Sequence, residues 1–144
     1  MSRTKILVVD DFLPWHEFVL EIFKSEGDSN IVHFAAEGLE AVQKAPEIQP
    51  DVVLMDVDLP RLDGLETARR IRVLCPHSKI LFVSEHRSPQ VIEAAFSLGG
   101  SGYILKTDSC SDLMPGVRAA LRNEQFVSRS LQDWRKGPDS RDKR

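Results

Sequence analysis

Asp56 closes the apolar run Val52-Val53-Leu54-Met55, and the doubled acid Asp10-Asp11 closes a second run, Ile6-Leu7-Val8-Val9. A third, Ile80-Leu81-Phe82-Val83, ends in the hydroxyl of Ser84, and Tyr103-Ile104-Leu105 ends in the cation of Lys106. Short apolar runs of this kind read as buried strands, so four strand ends supply acid, hydroxyl and cation. Three carboxylates at close range cannot all stay ionised and unpaired, because like charges raise one another's pKa and a low dielectric sharpens the repulsion. A divalent cation resolves it. Ligation by oxygen alone favours Mg²⁺, which takes one or two carboxylates plus a phosphoryl oxygen, with Mn²⁺ as the substitute. Asp11 and Asp56 are the first-choice ligands, Asp10 stands beside them, and the backbone carbonyl of Asp58 is the further donor. Lys106 is a compact point charge suited to a phosphoryl group or to the acceptor carboxylate, and Ser84 is a donor to phosphoryl oxygen. A nucleophile, a metal and charge neutralisation are what phosphoryl transfer requires.

The elements that must position these groups alternate along the chain. After the first strand, Trp15, Phe18, Val19, Ile22 and Phe23 share one face of a helix that Gly27 closes. A strand over 30–34 leads to a helix carrying Leu39, Val42 and Ala45, which Pro46 is expected to stop. Strand 51–56 feeds the turn Leu59-Pro60-Arg61-Leu62-Asp63-Gly64, then a helix with Leu65, Ala68, Ile71 and Cys75. After strand 79–84, Ser88-Pro89 is a good cap and first-position pair for a helix burying Val91, Ile92, Ala95 and Phe96. The last strand, 103–105, precedes a helix with Leu113, Val117, Ala120 and Leu121; Ser109 and Asp112 have capping-box spacing, and Pro115 fits if it falls in the first turn. Five strands alternating with five helices predict a doubly wound α/β fold, a five-stranded parallel sheet covered on both faces with right-handed crossovers. In the order 2-1-3-4-5 the carboxyl ends of strands one and three, about 4.8 Å apart, form the ligand crevice. Asp10, Asp11 and Asp56 then share one pocket, with Ser84 and Lys106 arriving from the next two strands.

At 144 residues the chain is long enough to bury roughly 70% of its unfolded surface. With 42% apolar and 28% charged residues, neither a disordered nor a membrane protein is indicated. No signal-peptide pattern precedes the first strand, so the expected location is cytoplasmic. Cys75 and Cys110 lack partners at zinc or disulfide spacing. Residues 135–144 carry a net +3, which leaves an acidic remainder of -6. An acidic body is a poor nucleic-acid surface, so no nucleic acid is expected as a partner of this chain alone. The expected division is a domain over 4–124 and a tail over 125–144, flexible or a linker stub.

Asp10-Asp11, then Asp56 followed by Leu59-Pro60 and Asp63-Gly64, then Ser84, then Gly102-Tyr103-Ile104-Leu105-Lys106 resembles the receiver domain of two-component response regulators. The likeness runs from about residue 4 to 124. Ala45-Pro46-Glu47-Ile48-Gln49-Pro50-Asp51 and the Gly102–Lys106 stretch are nearest the NarL/LuxR-type branch. The resemblance implies a flavodoxin-like receiver fold. Asp56 would be the phosphoacceptor, taking its phosphoryl group from a phosphohistidine on a sensor histidine kinase or a histidine phosphotransfer protein, with Mg²⁺ bound beside it. It also implies a signalling switch rather than an enzyme: Ser84 moves toward the phosphoryl group, Tyr103 turns inward, and the altered face meets a downstream protein or a second copy. Two features depart from the family pattern. Glu85 stands where a small residue is usual, its bulk and charge placed to shield the phosphorylation site. The chain also ends about 20 residues after its last helix, too short for a helix-turn-helix output domain, which suggests a stand-alone receiver or a fragment.

Other readings compete at individual residues. Asp10, Asp11 and Asp56 singly fit helix capping, Tyr103 fits plain strand packing, and His86 fits an exposed loop histidine. Asp58 is either a solvated loop acid or a side chain controlling water access. Phe12, Leu13 and Pro14 dock a partner helix or fold onto the domain. Asp56-Val57-Asp58-Leu59-Pro60 resembles the haloacid-dehalogenase-type phosphatase motif, but Pro60 stands where Thr or Val is needed. A mononucleotide binder is disfavoured because the first loop offers acid where phosphate needs donors. The remaining rival is a receiver-like interaction module that signals by docking, without phosphorylation.

Overall fold

Residues 3–27 and 30–136 are described by a computed structural model of the chain. The strands are β1 (Thr4–Val9), β2 (Asn30–Ala35), β3 (Val52–Asp56), β4 (Lys79–Ser84), β5 (Gly102–Leu105) and a short β6 (Phe126–Val127). The helices are α1 (Leu13–Ser25), α2 (Gly38–Ile48), α3 (Gly64–Leu74), α4 (Pro89–Ser97) and α5 (Ser109–Leu121). All strand pairings are parallel, in the order β2-β1-β3-β4-β5-β6. The expected order of the first five strands therefore holds, and a sixth is added at the β5 edge.

The sheet is buried on both faces, which is why its strands read as unbroken apolar runs rather than alternating ones. Leu7, Val9, Val53, Met55, Phe82 and Tyr103 point to the side covered by α2, α3 and α4, packing on Ala41, Ala45, Ala68, Ile71, Ile92 and Ala95. Ile6, Val8, Leu54, Val83 and Ile104 point to the other side, where α1 supplies Trp15, Val19 and Phe23, and α5 supplies Leu113 and Val117. Each large side chain fully withdrawn from water contributes about 1.5–3 kcal/mol. That double burial fixes the strand register, and with it where the last residue of each strand lies.

Local expectations held in some places and not in others. Ser88 caps α4 by accepting the Val91 N–H at 3.4 Å, with Pro89 in the first turn. Asp63 caps α3 through the Glu66 N–H at 2.9 Å. Pro46, by contrast, does not stop α2. The helix runs on to Ile48 and ends at Gln49, whose left-handed backbone (φ 52°) directs its N–H to the Ala45 carbonyl at 2.7 Å. Pro46 forfeits its own bond to the preceding turn, and the helix still closes around it because the Gln49 N–H makes the regular bond to Ala45. Pro115 lies inside α5 rather than in its first turn. The Ser109–Asp112 capping box does not form; the Asp112 carboxylate accepts the Arg129 N–H at 2.8 Å instead.

That last contact belongs to the segment that follows α5. Residues 126–136 are not a free tail. They form β6 and two short 3-10 turns, Arg129–Leu131 and Trp134–Lys136, folded along β5 and α4 with Leu131 and Trp134 buried. The ordered domain extends at least to Lys136, and the rest of the expected tail lies outside the described residues.

Candidate functional site

The carboxyl ends of β1, β3, β4 and β5 converge on an open cleft of about 350 Å³ lined by Asp10, Asp11, Phe12, Asp56, Asp58, Glu85 and Lys106. Asp10 is fully buried. Its Oδ1 accepts the Phe12 N–H at 2.8 Å, and its Oδ2 takes the Lys106 Nζ at 2.6 Å. Asp56 is nearly as enclosed, with its Oδ1 accepting the Asp58 N–H at 3.1 Å and its Oδ2 3.8 Å from Lys106 Nζ. Lys106 thus spans both buried acids and is held from behind by the Trp15 ring, 5.0 Å from Nζ to the ring centre. Asp11 is exposed at the opening.

One cation does not balance this set. Burial, followed by the charge of Asp10, pushes the Asp56 carboxyl up to about 7, against the opposing pull of Lys106 and the Asp58 N–H. Carboxylate oxygens of Asp10, Asp11 and Asp56 all lie within 4.8 Å of one another. Oxygen-only donors with excess negative charge fit a small hard divalent cation. Asp10, Asp11 and Asp56 are the side chains that would hold it, and bound there it would neutralise charge beside Asp56.

Gly64 keeps the end of β3 in place. A side chain there would overlap the carbonyl oxygen of Asp56 and come within 2.7 Å of the Val57 Cα. The Gly64 N–H donates to the Val57 carbonyl at 2.9 Å. The turn after Asp56 thus closes only around a residue without Cβ.

Ser84 and Tyr103 lie on the next two strands, both fully buried. The Tyr103 ring packs inward, and its hydroxyl donates to the His86 carbonyl at 3.1 Å. Burial raises the Tyr103 pKa, with a hydrogen bond to Ser84 opposing it. The Ser84 Oγ also accepts the His86 N–H at 3.0 Å. His86 is therefore more than an exposed loop histidine, because its Nε2 also pairs with the Asp58 carboxylate at 2.8 Å. The side chain of Asp58 joins two loops in this way, while its N–H serves Asp56. His16 went unnoticed in the sequence: it is buried against Phe34, with its Nε2 2.6 Å from the Asp10 carbonyl oxygen. In sequence, the only cues were their places, His86 two residues after Ser84 and His16 in the first turns of α1. Glu85 is exposed and lines the cleft. Phe12 and Leu13 are exposed beside the acid pair, where Phe12, Pro14, Trp15 and Phe18 line a neighbouring apolar cleft.

Residues 6–118 match the response regulator receiver domain. The chain is a member of the receiver family. This receiver is 35% identical over 127 residues to the transcriptional activator protein ExaE of Pseudomonas putida, covering 88% of this chain and 59% of that protein. It is 32% identical over 120 residues to the response regulator protein VraR of Staphylococcus aureus, covering 83% of this chain and 57% of that one. The receiver thus spans less than two thirds of these relatives' length. In structure it is similar to a LuxR-family two-component response regulator from Aurantimonas sp. SI85-9A1, with TM-score 0.84, 29% identity and coverage of 90% of this chain and 93% of that one. It also resembles a CheY-like receiver domain protein from Methanospirillum hungatei JF-1, with TM-score 0.78, 26% identity and coverage of 84% and 95%. The receiver is a signalling domain with a CheY-like, flavodoxin-type parallel sheet. Among the described residues no helix is long and apolar enough to cross a membrane.

Proposed function

We propose that this receiver is a phosphorylation-dependent switch of a two-component phosphorelay, working in the cytoplasm. Asp56 is the acceptor. A carboxylate oxygen of Asp56 attacks the phosphorus of a phosphohistidine on a sensor histidine kinase or a histidine phosphotransfer protein. The P–N bond breaks, and its electron pair leaves on the imidazole, which is protonated from solvent. Asp10, Asp11, Asp56 and the Asp58 backbone carbonyl would hold Mg²⁺, or Mn²⁺ in its place, which would supply charge neutralisation for the incoming phosphoryl group. Lys106 offers the positive charge that the new phosphoryl oxygens require. Ser84 and Tyr103 form the switch: the Ser84 hydroxyl donates to the phosphoryl group, and Tyr103 answers to the resulting shift of the loop carrying His86. The output is a changed surface presented to a downstream protein or a second copy. The single observation that carries this reading is the convergence at Asp56, a buried carboxylate with oxygens of Asp10 and Asp11 within 4.8 Å and Lys106 Nζ at 3.8 Å.

The test is intact-mass measurement after incubation with acetyl phosphate and Mg²⁺. The expected result is one added phosphoryl group on the native chain, none on Asp56→Asn, and none when Mg²⁺ is chelated. If neither acetyl phosphate nor a phosphorylated histidine kinase adds a group to the native chain, the docking-only module takes its place.

A further inference from the structure

The segment Phe126–Lys136 is attached to the domain at four places, two of them next to residues of the site. Ser128, fully buried, grips β5: its N–H donates to the Tyr103 carbonyl at 3.0 Å, and its Oγ accepts the Leu105 N–H at 3.0 Å. Those two β5 residues are the switch tyrosine and the neighbour of Lys106. Next, the Asp108 carboxylate, in the turn that Lys106 opens, accepts the Ser130 N–H at 3.0 Å and its hydroxyl at 2.8 Å. Asp112, one helical turn further on, accepts the Arg129 N–H. Finally, Trp134 stacks on Phe96 of α4 with ring centres 5.8 Å apart. The loop 85–88, which contains His86, joins α4 directly to Ser84.

An extra strand whose only task was to cover the β5 edge would need the ladder and little else. Here the ladder is two residues long, and beyond it Ser128 holds β5 through its N–H and hydroxyl, Arg129 and Ser130 bond to Asp112 and Asp108, and Trp134 stacks on α4. We propose that Phe126–Lys136 is a strap that reads the state of Asp56 and comes loose from β5 and α4 when Asp56 is phosphorylated. This rests on the phosphoacceptor reading above.

The argument follows the bonds. Lys106 is now shared between Asp10 at 2.6 Å and Asp56 at 3.8 Å. Phosphoryl oxygens on Asp56 draw it across, and its main chain carries Leu105 and Asp108, the holds for Ser128 and Ser130. A phosphoryl group that recruits the Ser84 hydroxyl also competes with the bond that hydroxyl makes to the His86 N–H. Loop 85–88 then shifts, and with it α4 and Phe96. Both displacements act on the strap, one at each end.

Hydrogen-exchange mass spectrometry on the full, unsubstituted chain tests the strap, with intact mass recorded on the same samples treated with acetyl phosphate and Mg²⁺. Phosphorylated protein is expected to exchange the Ser128, Ser130 and Leu131 amides at least several-fold faster, while the amides of β1 and β3 keep their protection. Added phosphoryl mass with unchanged strap exchange overturns the strap proposal and leaves the acceptor reading intact. Absence of added mass overturns both. A second measurement follows Trp134 emission in a Trp15→Phe background, because Trp15 lies against Lys106 and would respond on its own. Trp134 should become markedly more open to acrylamide quenching on phosphorylation, and Ser128→Ala should open it without phosphorylation. Quenching that is equal in all states counts against the strap.

Discussion

At the scale of the residue, the controlling fact is that Asp56 is buried next to Asp10, with Lys106 and the Asp58 N–H offsetting this only in part. Its pKa is raised from 3.8 to about 7, so the folded chain keeps a proton that the unfolded chain has released. Stability from this group is fully present below about pH 4, declines as pH rises, and is gone above about 7. Allowing for solvent in the open cleft, the loss is on the order of 2–4 kcal/mol. In the absence of divalent cations, Asp56→Asn should therefore be the more stable protein at pH 8, and the gap should close toward pH 4. Urea denaturation across that range measures it. Added Mg²⁺ should reverse the order at pH 8, because a ligand that binds only the folded state raises its stability, and the Asn side chain supplies one charge fewer. The acids and Lys106 were legible in sequence because each ends an apolar run. The histidines were not, since the bond of His86 to Asp58 joins residues 28 apart in the chain and that of His16 is to a main-chain atom.

At the scale of the element, the site depends on how β3 hands over to α3. Gly64 stands where any Cβ would overlap the Asp56 carbonyl. Gly64→Ala should cost about 1–3 kcal/mol as overpacking, and the strain falls on Asp56 itself. The phosphorylation rate with acetyl phosphate should then drop by more than the fall in stability explains, which a comparison of rates and urea midpoints would show. If the rate is unchanged while stability falls, Gly64 serves the turn alone. Asp63-Gly64 was readable as turn and helix-start chemistry from residue type. Pro46 and Pro115 misled because a proline's effect depends on what closes the turn behind it, which only the folded chain reveals. β6 was unreadable for another reason: two residues are too few to show a period, and its place is set by Ser128, Asp108 and Asp112 meeting across the fold.

For the whole molecule, double burial of the sheet aligns the strand ends, and the strap adds an ordered border on one side. A chain ending at Gln125 should still fold, because the core on both faces of β1 to β5 is complete without the strap apart from Leu131, Trp134 and the half-buried Phe126 and Val127. It should lose about 1–3 kcal/mol, since the penalty cannot exceed the free energy of unfastening the segment. The acid dependence of that difference is set by Asp108. Burial works to raise its pKa, but the Ser130 N–H and hydroxyl and the Ser128 hydroxyl outweigh it, and the group ends below its ordinary 3.8. A lowered carboxylate stabilises the folded state above its unfolded value and loses that contribution as pH falls through the lower folded one. The stability gap between the full chain and the chain ending at Gln125 should therefore be widest near neutral pH and narrow below about pH 4. Urea titrations of the two chains at pH 7 and at pH 2.5 to 3 decide it: a gap independent of pH would mean that the Asp108 carboxylate contributes nothing to holding the strap.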